Sequence, residues 1–347
     1  MSTGQTSAAD WARLAHFASS LSSACGQVAS DLEDFRRALS PIATEYRPGA
    51  RKPGPGSTAG AYGYASLRRE FSNFLLHQQG TRLAEDPEDL HQMRVAARRL
   101  RAFIKLFQPA LTPSLLMLTG EVKWIAGVLG VRRDLDVQME WLRSVIEDAG
   151  DEKEALRPLF SHLEQRACEA QTTVSDALDS ERFDGLVRAM SEALLNGPNS
   201  ATESELPVSV FASRRLRGRY RRFRKLGQRL DEQSEDAAFH RLRVEAKRLR
   251  YATECFRPVF GSRVRPLIRE TKVLQDLLGE HHDATVFEAE VRAQARDGNL
   301  PPDSLIALGG LIRDRQLRRL EIRDGWNKHH RRLKKAWRKA RKALTTS

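Results

Sequence analysis

Two histidines 149 residues apart, His91 and His240, each lead a row of arginines and lysines, and the chemistry open to such a row is to hold an anion. HQMRVAARRLRAFIKLFQP, from His91, aligns without a gap on HRLRVEAKRLRYATECFRP, from His240. His91/His240, Arg94/Arg243, Val95/Val244, Ala97/Ala246, Arg99/Arg248, Leu100/Leu249, Arg101/Arg250, Phe107/Phe256 and Pro109/Pro258 coincide, and Arg98/Lys247 keeps its charge. The same offset lays EVKWIAGVLGVRRDLDV on ETKVLQDLLGEHHDATV, matching Glu121/Glu270, Lys123/Lys272, Leu129/Leu278, Gly130/Gly279, Asp134/Asp283 and Val137/Val286. One register held across two motifs marks a tandem repeat. In such a setting an imidazole donates to phosphate oxygen and gains charge as anions approach, while guanidinium forks grip oxyanions bidentately.

The geometry of the repeated segment favours that reading. At 100° per residue, Met93, Ala97, Leu100, Ile104 and Phe107 form the core stripe of an amphipathic helix. His91, Arg94, Arg98, Arg101 and Lys105 fall on a second arc, about 80° wide and centred roughly 120° from the core stripe. The second copy repeats this with Leu242, Ala246, Leu249 and Phe256 in the core and His240, Arg243, Lys247 and Arg250 on the arc, while Glu254 replaces Lys105. Like charges along one arc repel, and a merely solvated face would mix signs. Here mixing is avoided twice, so an anion site explains the pattern better than a solvated face.

Composition points the same way. The 347 residues carry 58 Lys and Arg against 45 Asp and Glu, a formal charge of +13, which predicts polyanionic partners. Arg214 to Arg229 and Lys328 to Lys342 are two basic runs without an acid. Three cysteines, Cys25, Cys168 and Cys255, without a CxxC, suggest a reducing cytosol. No basic leader with an apolar stretch opens the chain, and no run approaches 18 apolar residues, so neither secretion nor membrane association is expected.

Long periodic segments, short Gly/Pro breaks and no alternating β-branched runs predict an all-α fold of two helical bundles, four principal helices each, related by an approximate internal two-fold. The expected divisions are an N-terminal helical extension over 1–48, a Pro/Gly linker over 49–61, a first half over 62–195, a polar connector over 196–207 and a second half over 208–345. Asp86-Pro87-Glu88 predicts the start of the His91 helix. Thr112-Pro113 predicts the start of the next helix, and Leu129-Gly130 its end.

The residues HQMRVAARRLR and HRLRVEAKRLRY, followed by LGVRRDLDV and LGEHHDATV, resemble the CHAD family, the conserved histidine α-helical domain, over roughly 62–345. The resemblance implies two four-helix bundles with pseudo-two-fold symmetry whose basic central groove or pore binds inorganic polyphosphate without catalysis. It implies as ligands His91, Arg94, Arg98, Arg101 and Lys123 in the first half, with Lys105 extending the arc, and His240, Arg243, Lys247, Arg250 and Lys272 in the second. Arg133 takes the place of the Arg in the family's LGxxRD, with His282 its counterpart and Asp134 orienting a neighbouring cation. Cytoplasmic recruitment to polyphosphate granules is the expected role, and the N-terminal helix is a candidate dock for a partner protein.

Two rival readings compete with this one. Nucleic-acid or general polyanion binding fits the charge, yet no reading helix or zinc motif is visible, and Tyr220, Phe223, Trp326 and Trp337 fall at core-like positions rather than on a stacking platform. A phosphohydrolase would need further His and Asp ligands beside His281-His282-Asp283, and the other half offers only Arg133-Asp134. Glu288, Glu290 and Arg292 alternate like a triphosphatase strand but lie in a helical segment. No catalytic residue, metal or cofactor is therefore assigned.

Overall fold

The computed structural model describes residues 54–84, 86–148, 150, 153–198, 203–298 and 300–344. The chain divides into compact units Met1–Ala50 and Arg51–Ser347, and all described residues belong to the second. The predicted N-terminal extension therefore lies outside the described residues.

Among the described residues the architecture is helical, with a lone antiparallel bridge between Thr58 and Pro207. The long helices are α1 (Ala59–Leu76), α2 (Pro87–Phe107), α3 (Thr119–Asp148), α4 (Lys153–Leu178), α5 (Glu181–Leu195), α6 (Val208–Gly227), α7 (Asp236–Cys255), α8 (Arg265–Arg296) and α9 (Pro302–Ala343). In the first half α2 packs between α1 and α3, and α3 packs on α4. In the second, α7 packs between α6 and α8, and α8 packs on α9. The halves meet where α2 touches α7, α1 touches α6 and α4 touches α9.

Local chemistry explains the entry into α2. Asp86 adopts extended φ/ψ, its carboxylate accepts from the Glu88 N–H at 2.8 Å, and Pro87 opens the first turn. Every apolar residue assigned to the core stripe, from Met93 to Phe107 and from Leu242 to Phe256, is buried.

Two expectations about boundaries need correction. Thr112-Pro113 starts only the short helix Pro113–Met117, with no side-chain cap hydrogen bond, and α3 begins afterwards at Thr119. Nor does Gly130 end that helix, since α3 continues to Asp148. A helical glycine costs only about 1 kcal/mol relative to alanine, and here buried Ile125, Leu129, Leu135 and Leu142 hold α3 in the core on both sides of it. The helix α1 begins at Ala59 on a Thr58 cap, slightly earlier than the linker boundary drawn from the Pro/Gly stretch.

The final helix of the first half is split in two, so that half has five long helices rather than four. The 149-residue offset carries Lys153 onto Pro302 and Leu195 onto Leu344, yet α4 and α5 fill the span that α9 covers unbroken. The break falls at Ser180, whose backbone is extended and whose hydroxyl accepts from the Phe183 N–H at 3.2 Å, capping a new helix. Its counterpart, His329, continues α9.

Shared cores bind the halves together. At one end Phe107 stacks on Phe211 and meets Phe256 edge-on, both at 5.5 Å between ring centroids. Tyr62 packs on the same group and donates its hydroxyl to the Cys255 carbonyl at 2.6 Å. At the other end Leu142, Leu156, Leu159 and Leu163 share one apolar cluster with Phe287, Val291 and Leu308. The stretch Pro113–Asp148 is also long and apolar enough to cross a membrane by length and composition. It contains Glu121 and Lys123, and α3 contributes Leu135 and Leu142 to the shared core.

Candidate functional site: a cationic cavity between the halves

A cavity of about 520 Å³ opens where α2, α3, α7, α8 and α9 converge. Residues matched by the 149-residue offset enter it in pairs: Arg94 with Arg243, Asp134 with Asp283, and Val137 with Val286. Lys247 and His282 join from α7 and α8, and Arg315 and Arg318 from α9. The helices that carry the repeated motifs thus present them to one space.

Each arginine of the central pair has an aspartate on the neighbouring long helix. Arg94 Nη2 donates to Asp134 Oδ1 at 2.7 Å, while Arg243 Nη2 stands 3.9 Å from Asp283 Oδ1. Asp134 is therefore the orienting carboxylate expected from the sequence, and the cation it holds is Arg94. Lys247 lacks an ion-pair partner among the described residues, and burial, followed by repulsion from Arg243, Arg98 and Arg94, brings its pKa down to about 7. Burial pushes Asp283 up, against the pull of Arg243 and Arg315.

Burial and neighbouring cations lower the pKa of His91, His240 and His282. The His240 and His282 Nδ1 atoms approach to 3.3 Å. Burial, with Arg243, His240 and Lys247 next, brings His282 down to about 4. His240 is lowered by burial and then by Arg243 and Lys247. His91 is lowered by burial and then by Arg133, and its buried Nδ1 has no hydrogen-bond partner among the described residues. His281 faces the core instead: it stacks on Phe239 at 4.6 Å and its Nε2 accepts from Arg323 Nε at 3.2 Å. Asp236 Oδ1 lies 3.5 Å from the same nitrogen and pairs with Arg319 and Arg323, so His281 joins a buried ring to an ion-pair network rather than to the cavity.

Other residues implied by the resemblance sit around rather than in the cavity. Arg98 lies beside Lys247 and over the Tyr251 ring at 5.7 Å, with Arg250 over the same ring at 5.2 Å. Arg250 also pairs with Glu254 at 3.5 Å. Arg101 and Lys105 continue the α2 arc away from the cavity, toward Arg248, and Lys105 also faces Arg219 and Glu245. Arg133 is engaged by Asp136 at 3.9 Å and Glu140 at 4.0 Å. Lys123 and Lys272 are exposed, each eleven residues before the aspartate of its own helix, about 16 Å along the axis. They are not brought to the central pair.

Sequence reasoning missed Arg315, Arg318, Glu280, Trp141 and Phe287. Arg318 pairs with Glu280 at 3.0 Å, and the Arg315 guanidinium lies 3.6 Å from the centroid of Trp141. Of these only Glu280 lies in the repeated stretch, where its counterpart is Val131, and α9 carries so many basic residues that two of them offered no local signal.

An all-helical protein with a basic cavity between two similarly ordered halves is the class these features define. The chain belongs to the CHAD domain family, whose profile matches residues 65–292. Among solved structures, the CHAD domain from the plant Ricinus communis superposes with a TM-score of 0.63 at 23% identity, covering 87% of this chain and 96% of that one. PptA from Streptomyces chartreusis superposes with a TM-score of 0.57 at 21% identity, covering 81% and 100%. The uncharacterized proteins MT2285 and Rv2226 of Mycobacterium tuberculosis are each 27% identical over 285 residues. That alignment covers 80% of this chain and 54% of each relative, so the chain spans about half the length of the curated relatives it matches.

Proposed function

We propose that the protein binds inorganic polyphosphate, without catalysis, in the cavity between its halves. The observation that carries this reading is the convergence of Arg94, Arg243 and Lys247 on one space although their motifs are 149 residues apart. All three are partly buried before any ligand arrives, and Lys247, though attracted by Asp283, forms no ion pair among the described residues that must be broken first. Polyphosphate has no base edges to read, so forks, an ammonium and imidazole donors suffice for it. Each charge-assisted hydrogen bond contributes roughly 1.5–3 kcal/mol before ordering and desolvation costs. A few net contacts therefore reach the ~8 kcal/mol of a micromolar complex. Arg98, Arg101 and Lys105 would extend the contact along α2. In a cell such binding would recruit the protein to polyphosphate granules in the cytoplasm.

The test is a competition titration of labelled long-chain polyphosphate at about 150 mM salt, where free surface charges are screened beyond roughly 8 Å. Displacement by unlabelled polyphosphate but not by single-stranded DNA supports the reading; absence of binding sinks it.

General polyanion binding is the second reading, favoured by the outer faces of α6 and α9. Arg221 and Arg224 on one, and Lys334 and Arg338 on the other, are exposed, and Arg224 and Lys334 both act on His330. Tyr220 and Trp337 stack at 4.0 Å beneath them and are buried, so these faces offer charge without a base-stacking platform. Equal displacement by DNA, with a steep salt slope, would favour this reading.

A further inference from the structure

The cavity presents more apolar surface than a phosphate chain uses. Val137 and Val286, exposed by 40% and 39%, both face it. Beside them Trp141 and Phe287 pack edge to face at 4.7 Å. The Arg315 guanidinium lies over both rings, 3.6 Å from the Trp141 centroid and 5.0 Å from that of Phe287. Polyphosphate shows oxygen on every side and gains nothing from two half-exposed valines or an indole.

The charge balance is also modest for a long polyanion. Arg94, Arg243, Lys247, Arg315 and Arg318 line the cavity together with Asp134, Asp283 and Glu280. Five cations are thus offset by three carboxylates, Asp134, Asp283 and Glu280, all of them exposed. A carboxylate repels phosphate but accepts from hydroxyl and amino groups, which polyphosphate lacks. The volume of about 520 Å³ is that of a small-molecule site.

We infer that this cavity also takes a nucleoside polyphosphate, its phosphates on Arg94, Arg243 and Lys247 and its base against the wall of Val137, Trp141, Val286 and the Arg315 guanidinium. A planar guanidinium already packed on an indole is a ready surface for a further flat ring, because stacking leaves its hydrogen-bonding edge free. Asp134 and Glu280 would accept from ribose hydroxyls or an exocyclic amine. The inference rests on the anion-site reading above, since the same cations hold the phosphates in both.

The experiment compares two probes with the same phosphate chain, ATP and tripolyphosphate, by calorimetric titration of the full chain at about 150 mM salt, close to physiological screening. ATP is expected to bind at least tenfold tighter. In Val286→Ser, and independently in Val137→Ser, that ratio is expected to fall toward one, with the helical circular dichroism retained. Quenching of Trp141 fluorescence by ATP, lost in Trp141→Phe, is the accompanying signature. If tripolyphosphate binds as tightly as ATP, the nucleoside contributes nothing and the inference is overturned, while the anion site stands. If neither small probe binds but long-chain polyphosphate does, the inference again fails alone. If long-chain polyphosphate also fails to bind, both readings fall.

Discussion

Arg94 and Arg243 face one cavity from helices 149 residues apart, yet their aspartates hold them unequally. Arg94 donates to Asp134 at 2.7 Å, whereas Arg243 stands 3.9 Å from Asp283. A closed hydrogen bond must be shared or given up when an anion arrives, and a loose pair costs less to redirect. The matched positions of the two halves are therefore not equivalent, and Arg243 is the arginine better prepared to meet a ligand.

Replacing Arg243 by alanine is accordingly expected to weaken polyphosphate binding more than replacing Arg94. The double replacement should cost on the order of 3 kcal/mol, about a hundredfold in Kd. Loss of two exposed lysines near the end of α9, Lys335 and Lys339, should change Kd by less than about threefold, the scale of exposed-charge effects. Calorimetric Kd values for the four variants check this, and equal losses would mean diffuse attraction rather than a site.

Asp134→Asn keeps an acceptor for Arg94 but removes a negative charge from the rim of the cavity. Tighter binding of tripolyphosphate, by a few-fold at low salt, is the expected result, with the gain shrinking as salt rises. Weaker binding would show that the carboxylate's grip on Arg94 matters more than its repulsion of the ligand.

Binding should take up protons. Lys247 is brought down to about 7 and His282 to about 4, both chiefly by burial, and an arriving polyanion favours their charged forms. Affinity is therefore expected to rise as pH falls from 8 to 6, and calorimetry in buffers of different ionisation enthalpy should register net uptake near pH 7. For folding the sign is opposite. Between about 7 and the ordinary lysine value of 10.5 the unfolded chain binds more protons at Lys247, so its contribution to stability rises with pH through that window. Lys247→Met should raise Tm at pH 7 by a few degrees, the size of a ~1 kcal/mol effect in a domain of this length. The same substitution should weaken polyphosphate binding, which separates the lysine's binding role from its cost in stability.

Phe107 is fully buried among Tyr62, Phe211 and Phe256, residues drawn from both halves. Phe107→Ala should cost about 3–5 kcal/mol. Because aromatic and aliphatic cores cross the boundary between the halves at both ends, thermal unfolding of residues 54–344 is expected as one transition, shifted down as a whole. Two resolved calorimetric peaks within this region would show that the halves melt independently.

The repeated basic helices were legible in the sequence because helical periodicity is a local property. The stripe from Met93 to Phe107 and its counterpart from Leu242 to Phe256 follow from 3.6 residues per turn alone, and Asp86-Pro87-Glu88 announces the start of α2 in three residues. The offset of 149 matches Arg94 with Arg243 and Asp134 with Asp283 in the sequence alone. Local signals were less reliable at helix ends. Gly130 resembles a stop but lies inside α3, where burial of its neighbours outweighs a propensity of about 1 kcal/mol.

Tertiary packing decided which of the basic residues share a space. A periodic arc specifies direction around a helix but not position along it, so Arg94, Arg101 and Lys105 look alike in sequence. The crossing of α2 and α7 places Arg94 in the cavity and directs Arg101 and Lys105 toward Arg248. Arg315, Trp141 and Phe287 come together because α3, α8 and α9 pack side by side. Their proximity is a long-range contact with no signature in any one segment. The sequence by itself determined that the chain is helical and carries two matching, histidine-led basic segments; the packing of distant helices alone determined the shape of the cavity and the apolar wall inside it.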